Sequence, residues 1–196
     1  MRSKISVQWL SFISGAVIVA FSIVIIFLPD TGAIRPTQTA SVISAEQAPS
    51  GLPIHLKIPS INVDASIERL GLAPDGAMEV PKGPTDTAWF DLGARPGENG
   101  TAVIAGHFGW KDGISAVFDN LNAVQIGDTI SVENDKGEIT MFVVRELRSF
   151  DEKGNASEVF SSNDGKAHLN LITCEGVWNK DTKSYSGRLV VFADKK

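Results

Sequence analysis

The sequence predicts a mostly β domain, a closed or nearly closed barrel with one or two short helices, preceded by a single membrane-spanning helix. Three observations lead there. Residues 10–28, LSFISGAVIVAFSIVIIFL, form an uncharged apolar run of 19 residues. From Leu52 onward the texture changes to short apolar runs broken by Gly, Pro, Asn and Asp. Within that part only one stretch, residues 113–124, has apolar residues at helical spacing.

At 196 residues the chain has room for one membrane segment and one domain of roughly 140 residues. As a helix the run 10–28 would span roughly 28 Å, close to the hydrocarbon thickness of a bilayer. Arg2 and Lys4 precede it, which puts residues 1–9 on the cytoplasmic side and the domain outside the cell. The run is longer than the apolar core of a cleaved signal peptide and no A-x-A-like site follows, so an uncleaved anchor is expected. Residues 29–51, with several prolines and small polar residues, read as a linker, and the domain occupies 52–196. The net charge of -5 and the scattered lysines and arginines exclude a nucleic-acid surface.

The elements follow in order. IHLKIPSINVDASI alternates well enough for one or two strands around Pro59, and MEVP near Met78 is a short strand at most. TAVIAGH, ending at His107, is a near-continuous apolar run, as a buried central strand would be. In GISAVFDNLNAV, Ile114, Val117, Phe118 and Leu121 have the spacing of a helix of about two turns. Residues 126–150 read as a hairpin bent at Lys136-Gly137. HLNLITC alternates cleanly, with Leu169, Leu171 and Thr173 on one face and Asn170, Ile172 and Cys174 on the other. RLVVFA, from Arg188, is the last strand, and EGVWNKDTKSYSG between the two reads as a 13-residue loop.

Chemistry centres on the single cysteine, Cys174. A lone thiol in an exported chain forms no internal disulfide. At the end of a strand facing a polar loop, it is placed for nucleophilic attack, which needs a proton partner and an oxyanion donor. Of the three histidines, His55 shares a polar face with Lys57 and reads as a surface residue. His168 starts the strand that ends at Cys174, about 20 Å away, beyond reach of the thiol. His107 closes a buried strand between Gly106 and Gly109, where the backbone is free to turn and other groups to approach. If the strands ending at Cys174 and beginning at Arg188 pair antiparallel, the two residues meet side by side. A guanidinium there can donate to a developing oxyanion, an interaction whose loss typically costs about 2.7–4 kcal/mol.

TAVIAGH with His107, LITC with Cys174, GRLVVFA with Arg188 and VFDNLNAVQIGDTISV between them together resemble the sortase family, over Leu52 to Ala193. ARPGENGTAVIAGH and LITC look most like the actinobacterial class F or the related D and E groups. The resemblance implies an eight-stranded barrel and cysteine transpeptidation of an LPxTG-type sorting signal. Cys174 would attack the threonine carbonyl, His107 would move the proton and Arg188 would steady the oxyanion. Thr173, which matches the threonine before the family's cysteine, would contact substrate; Trp178, in the loop Gly176–Gly187, is read from its position as shaping the substrate groove. The implied partners are sorting-signal proteins and an amine acceptor, such as a lipid-linked peptidoglycan precursor. No cofactor or metal is assigned, and the lid motif of the pilus-building branch is absent from the sequence.

Rival readings fit less well. An L,D-transpeptidase pattern places arginine almost beside the cysteine, whereas Glu175-Gly176 follow here. A tethered peptide-binding β domain would have no use for His107, Cys174 and Arg188 together. The stretch Leu28-Pro29-Asp30-Thr31-Gly32 itself spells LPDTG. It follows the hydrophobic run instead of preceding one, so it reads as a turn at the membrane surface rather than a sorting signal.

Overall fold

The structure, a computed structural model, describes residues 50–196. The expected membrane segment 10–28, the LPDTG stretch and the expected linker up to residue 49 lie outside the described residues. The described residues form eight strands: β1 (Pro53–Ile58), β2 (Val63–Leu70), β3 (Thr87–Phe90), β4 (Gly100–Gly106), β5 (Thr129–Asn134), β6 (Ile139–Asp151), β7 (Ala167–Asn179) and β8 (Ser184–Lys195). They close into a barrel in the order β1-β2-β3-β4-β7-β8-β6-β5, with β5 pairing back onto β1. The pairs β2–β3 and β4–β7 are parallel, and the remaining pairs are antiparallel.

Alternation along each strand builds the interior. Leu56 and Ile58 of β1, Ala102 and Ile104 of β4, Leu169 and Leu171 of β7, and Val191 of β8 share one core, each fully buried. At roughly 1.5–3 kcal/mol per buried aliphatic side chain, this core supplies most of the drive to close the barrel. Around Pro59 the chain makes a 3-10 turn, Pro59–Ile61, ended by Asn62 at φ 55°, and β1 pairs with β2 across it. The hairpin at Lys136-Gly137 forms as expected, with Gly137 at φ 76° donating to the Asn134 carbonyl. Ser50 and Gly51 already belong to the barrel end: the amide and hydroxyl of Ser50 both donate to Glu98.

A second, smaller apolar cluster lies on the outer face. Val159 of a short helix, α1 (Ser157–Phe160), packs on Val190 and Phe192 of β8. Both faces of β7 are therefore covered along Ala167–Leu171.

Two expectations are corrected. Residues 113–124 form no α-helix, but a turn followed by a 3-10 segment, Leu121–Ala123. The amides that an α-helix would use internally bond outward: Val117 N–H donates to the Pro84 carbonyl and Phe118 N–H to that of His107. The buried residues Phe118, Leu121 and Val124 recur every three positions, the period of a 3-10 turn. The expected 13-residue loop is mostly strand. β7 and β8 continue beyond Cys174 and Arg188, past an irregularity between Glu175 and Trp178, with Trp178 opposite Tyr185. An edge-to-face contact at 5.1 Å between those two rings gives the extension the cross-strand support that aromatic pairs provide.

Candidate active site

The site is assembled where β4 ends and β7 and β8 run on past it. Ala105 stands beside Ile172 in the parallel pair, with His107 two residues beyond Ala105, just past the end of β4, and Cys174 two residues beyond Ile172. In the antiparallel pair Cys174 stands directly beside Arg188. Directly opposed residues share a face, and this face is opposite to the one carrying Ile104, Leu171 and Leu189 into the core. The expected meeting of Cys174 and Arg188 on neighbouring strands is thus present in the backbone.

Thr173 and Gly106 fix the alignment. The buried Thr173 hydroxyl donates to the Gly106 carbonyl at 2.8 Å, tying the residue before the thiol to the residue before the imidazole. Thr173 thus directs its hydroxyl to the backbone of β4. Gly106 admits no side chain, since a Cβ there would lie 2.5 Å from the Phe118 ring. That close approach is how the turn at 117–121 braces the strand end.

His107 is half-buried, with Nε2 2.7 Å from the Pro81 carbonyl. A carbonyl only accepts, so Nε2 carries the hydrogen and Nδ1 is the nitrogen left to take or give a proton. The ring also meets Trp110 edge to face, centroids 4.7 Å apart.

Cys174 is half-buried and opens onto a cavity of about 190 Å³ lined by Phe108, Phe118, Asp119, Thr173 and Glu175 among others. His107, Arg188 and Trp178 do not line it. Burial pushes the thiol up from its ordinary range, Arg188 pulls it back and Glu152 adds to the rise. The thiol is therefore the resting form at neutral pH, and the thiolate has to be made when it is used.

The Arg188 guanidinium donates to the carbonyls of Tyr185 and Gly187 at 3.1 and 2.8 Å and to the Ser184 hydroxyl at 3.3 Å. Glu152 faces it at 3.9 Å. These partners hold its planar fork beside Cys174 but aim several of its donors back along β8. Trp178 is about half-exposed on the hairpin beyond Cys174.

The other two histidines are held elsewhere. His55 pairs with Asp64 on the surface of β1 and β2. His168 lies at the far end of β7, between Asp164 and Asp194. Sequence reasoning missed Glu152, Asp119 and Tyr185. Tyr185 alone left a signal, as the single tyrosine of the chain in a stretch flanked by two predicted strands.

A sortase domain model matches residues 56–196. Among solved structures, the chain is similar to the lid mutant of sortase A from Corynebacterium diphtheriae, with a TM-score of 0.59 and 21% identity over 78% of this chain and 74% of that one. It is also similar to sortase C1 of Streptococcus agalactiae in complex with MTSET, with a TM-score of 0.58 and 23% identity over 73% and 66%. A third is the Group B Streptococcus Pilus Island 1 sortase C2, with a TM-score of 0.57 and 26% identity over 73% of each chain. The first two likenesses carry the fold alone. No curated protein matches the chain.

Proposed function

The chain belongs to the sortase family, and from that premise we propose that it is a membrane-anchored cysteine transpeptidase acting on an LPxTG-type sorting signal. Cys174 is the nucleophile, His107 the general acid and base, and Arg188 the oxyanion or substrate-positioning group. The observation that carries this reading is the pairing of Cys174 with Arg188 across β7 and β8, together with the Thr173–Gly106 hydrogen bond that ties the residue before Cys174 to the residue before His107.

The steps balance without a cofactor. His107 takes the Cys174 thiol proton, the thiolate adds to the threonine carbonyl, and the C–N bond to glycine breaks as the departing amine takes that proton back from His107. An incoming amine then adds to the thioester while His107 accepts its proton. A new amide forms, and the leaving thiolate takes that proton from His107 to restore the thiol. Splitting one amide exchange into two acyl transfers lets the same imidazole serve in both directions. Arg188 turns from the β8 carbonyls toward the oxyanion as it develops. Thr173, at the cavity wall, and Trp178, on the adjoining hairpin, border the path of the peptide. The acceptor is the amine of a cell-wall precursor. The segment 10–28 anchors the enzyme with its catalytic domain outside a Gram-positive cell, and the sequence segments around His107 and Cys174 favour class F or the related D and E groups.

The test is intact mass spectrometry of the full-length chain incubated with LPxTG-type and LAxTG-type peptides. A mass gain equal to the peptide cut after threonine, absent in Cys174→Ala, is the expected result. A folded chain that gains no mass while Cys174 alkylates readily would sink the signal assignment. A Cys174 inert to alkylation would sink the enzyme reading itself.

A further inference from the structure

β4 ends at Gly106, so His107 belongs to a loop, although the proposed chemistry needs it held at the thiol. Two anchors hold the loop that follows. On one side the Gly109 amide donates to Asp119 at 2.7 Å. On the other stands Tyr185, half-buried near the start of β8. Its ring meets Phe108 edge to face at 5.5 Å and Trp178 at 5.1 Å. Its hydroxyl lies 2.7 Å from where a Cβ on Gly109 would stand, and Gly109 has φ +66°. Its carbonyl accepts from Arg188. One residue therefore touches the loop after His107, the β7 side of the hairpin and the arginine.

We propose that Tyr185 is a positioning residue for the transpeptidation: its ring seats the loop after His107, and through it His107, against the paired strands that carry Cys174 and Arg188. The inference rests on the sortase reading of the site but is separable from it. Gly109 is the complementary half of the contact. Only glycine combines the left-handed backbone with room for the tyrosine hydroxyl.

The three histidines of the chain supply the readout. In the full-length protein with ¹³C-labelled histidine, Tyr185→Ala should move the His107 resonance and leave those of His55 and His168 in place, which also certifies the fold. Turnover of an LPxTG-type peptide should fall about 10- to 100-fold, chiefly in kcat, as a misplaced catalytic group predicts. Tyr185→Phe should keep both near the parent values. Gly109→Ala should lose turnover, and adding Tyr185→Phe should restore part of it, because the nearest remaining ring atom is then Cζ at 3.8 Å. The proposal is overturned if His107 stays put in Tyr185→Ala, if turnover survives that substitution, or if the double variant is no better than Gly109→Ala alone. An inactive parent whose His107 resonance still responds would overturn the transpeptidase reading and leave the seating of His107 standing.

Discussion

His168 and Cys174 lie on the same face of β7, at opposite ends of its buried stretch, and their surroundings treat them in opposite ways. His168 is 6% exposed, with Nδ1 2.7 Å from Asp194 and Nε2 2.9 Å from Asp164. Arg145 adds a 3.0 Å contact to the same Asp194 oxygen. Each polar atom of that ring has an acceptor, so the imidazole is spent on joining β7 to β8 and to the connection before it. Cys174 is also shielded, but its charged neighbours oppose one another and the guanidinium beside it is turned largely to backbone carbonyls. Burial with satisfied partners yields a structural residue. Burial among opposing charges yields a thiol held above its ordinary range.

Exchanging the two histidines' roles is the hardest blow to this contrast. His107→Ala should cut kcat by about 10²–10⁴-fold, the usual contribution of a positioned acid-base group, and leave the urea midpoint unchanged. His168→Ala should do the reverse, keeping turnover near the parent's and costing about 1–2 kcal/mol, since it leaves two carboxylates that water can partly rehydrate. Equal losses of turnover in both variants would erase the distinction between the two ends.

A smaller effect sharpens the picture at the thiol. Glu152→Gln removes a charge that raises the Cys174 pKa and loosens the grip on Arg188. The pH midpoint of Cys174 alkylation by iodoacetamide should therefore move to lower pH. A midpoint unchanged in Glu152→Gln would mean that solvent screens this carboxylate from the thiol.

The smallest effect belongs to the His168 end. Hydrogen bonds from His168 first, then from the Lys166 amide and Ser162, hold the Asp164 carboxyl well below its ordinary value of 3.8. A carboxyl depressed in the folded state contributes stability that is present above the ordinary value and fades as pH falls through and below it. The thermal advantage of the parent over Asp164→Asn should accordingly be steady near neutrality and shrink below about pH 4. An advantage that persists at lower pH would assign it to something other than this ionisation.

Much of the fold was legible because β4, β7 and β8 carry their burial in plain apolar runs, and because Lys136-Gly137 marks its own turn. The parallel pairing of β4 with β7 was not, since register between strands some sixty residues apart leaves no local trace. β3, Thr87–Phe90, escaped notice because four residues are too few to show a period. The turn at 113–124 misled because the spacing of Ile114, Val117, Phe118 and Leu121 fits two kinds of helical turn, and the choice was made by hydrogen bonds to Pro84 and His107. The site residues were readable as strand ends bearing Cys, His and Arg. Glu152 and Tyr185 were not, because their roles come from neighbours across strands and not from their position in the chain.

The bond between Thr173 and Gly106 spans 67 residues of chain, with β5 and β6 made in between. Closing so long a segment is entropically slow, and topologies rich in such distant pairings fold late in their own assembly. The thiol therefore has its flanking strands only once β7 lies between β4 and β8. Two closures of very different span meet at one cysteine: the short β7–β8 hairpin that sets Arg188 beside it and the long one that brings up β4.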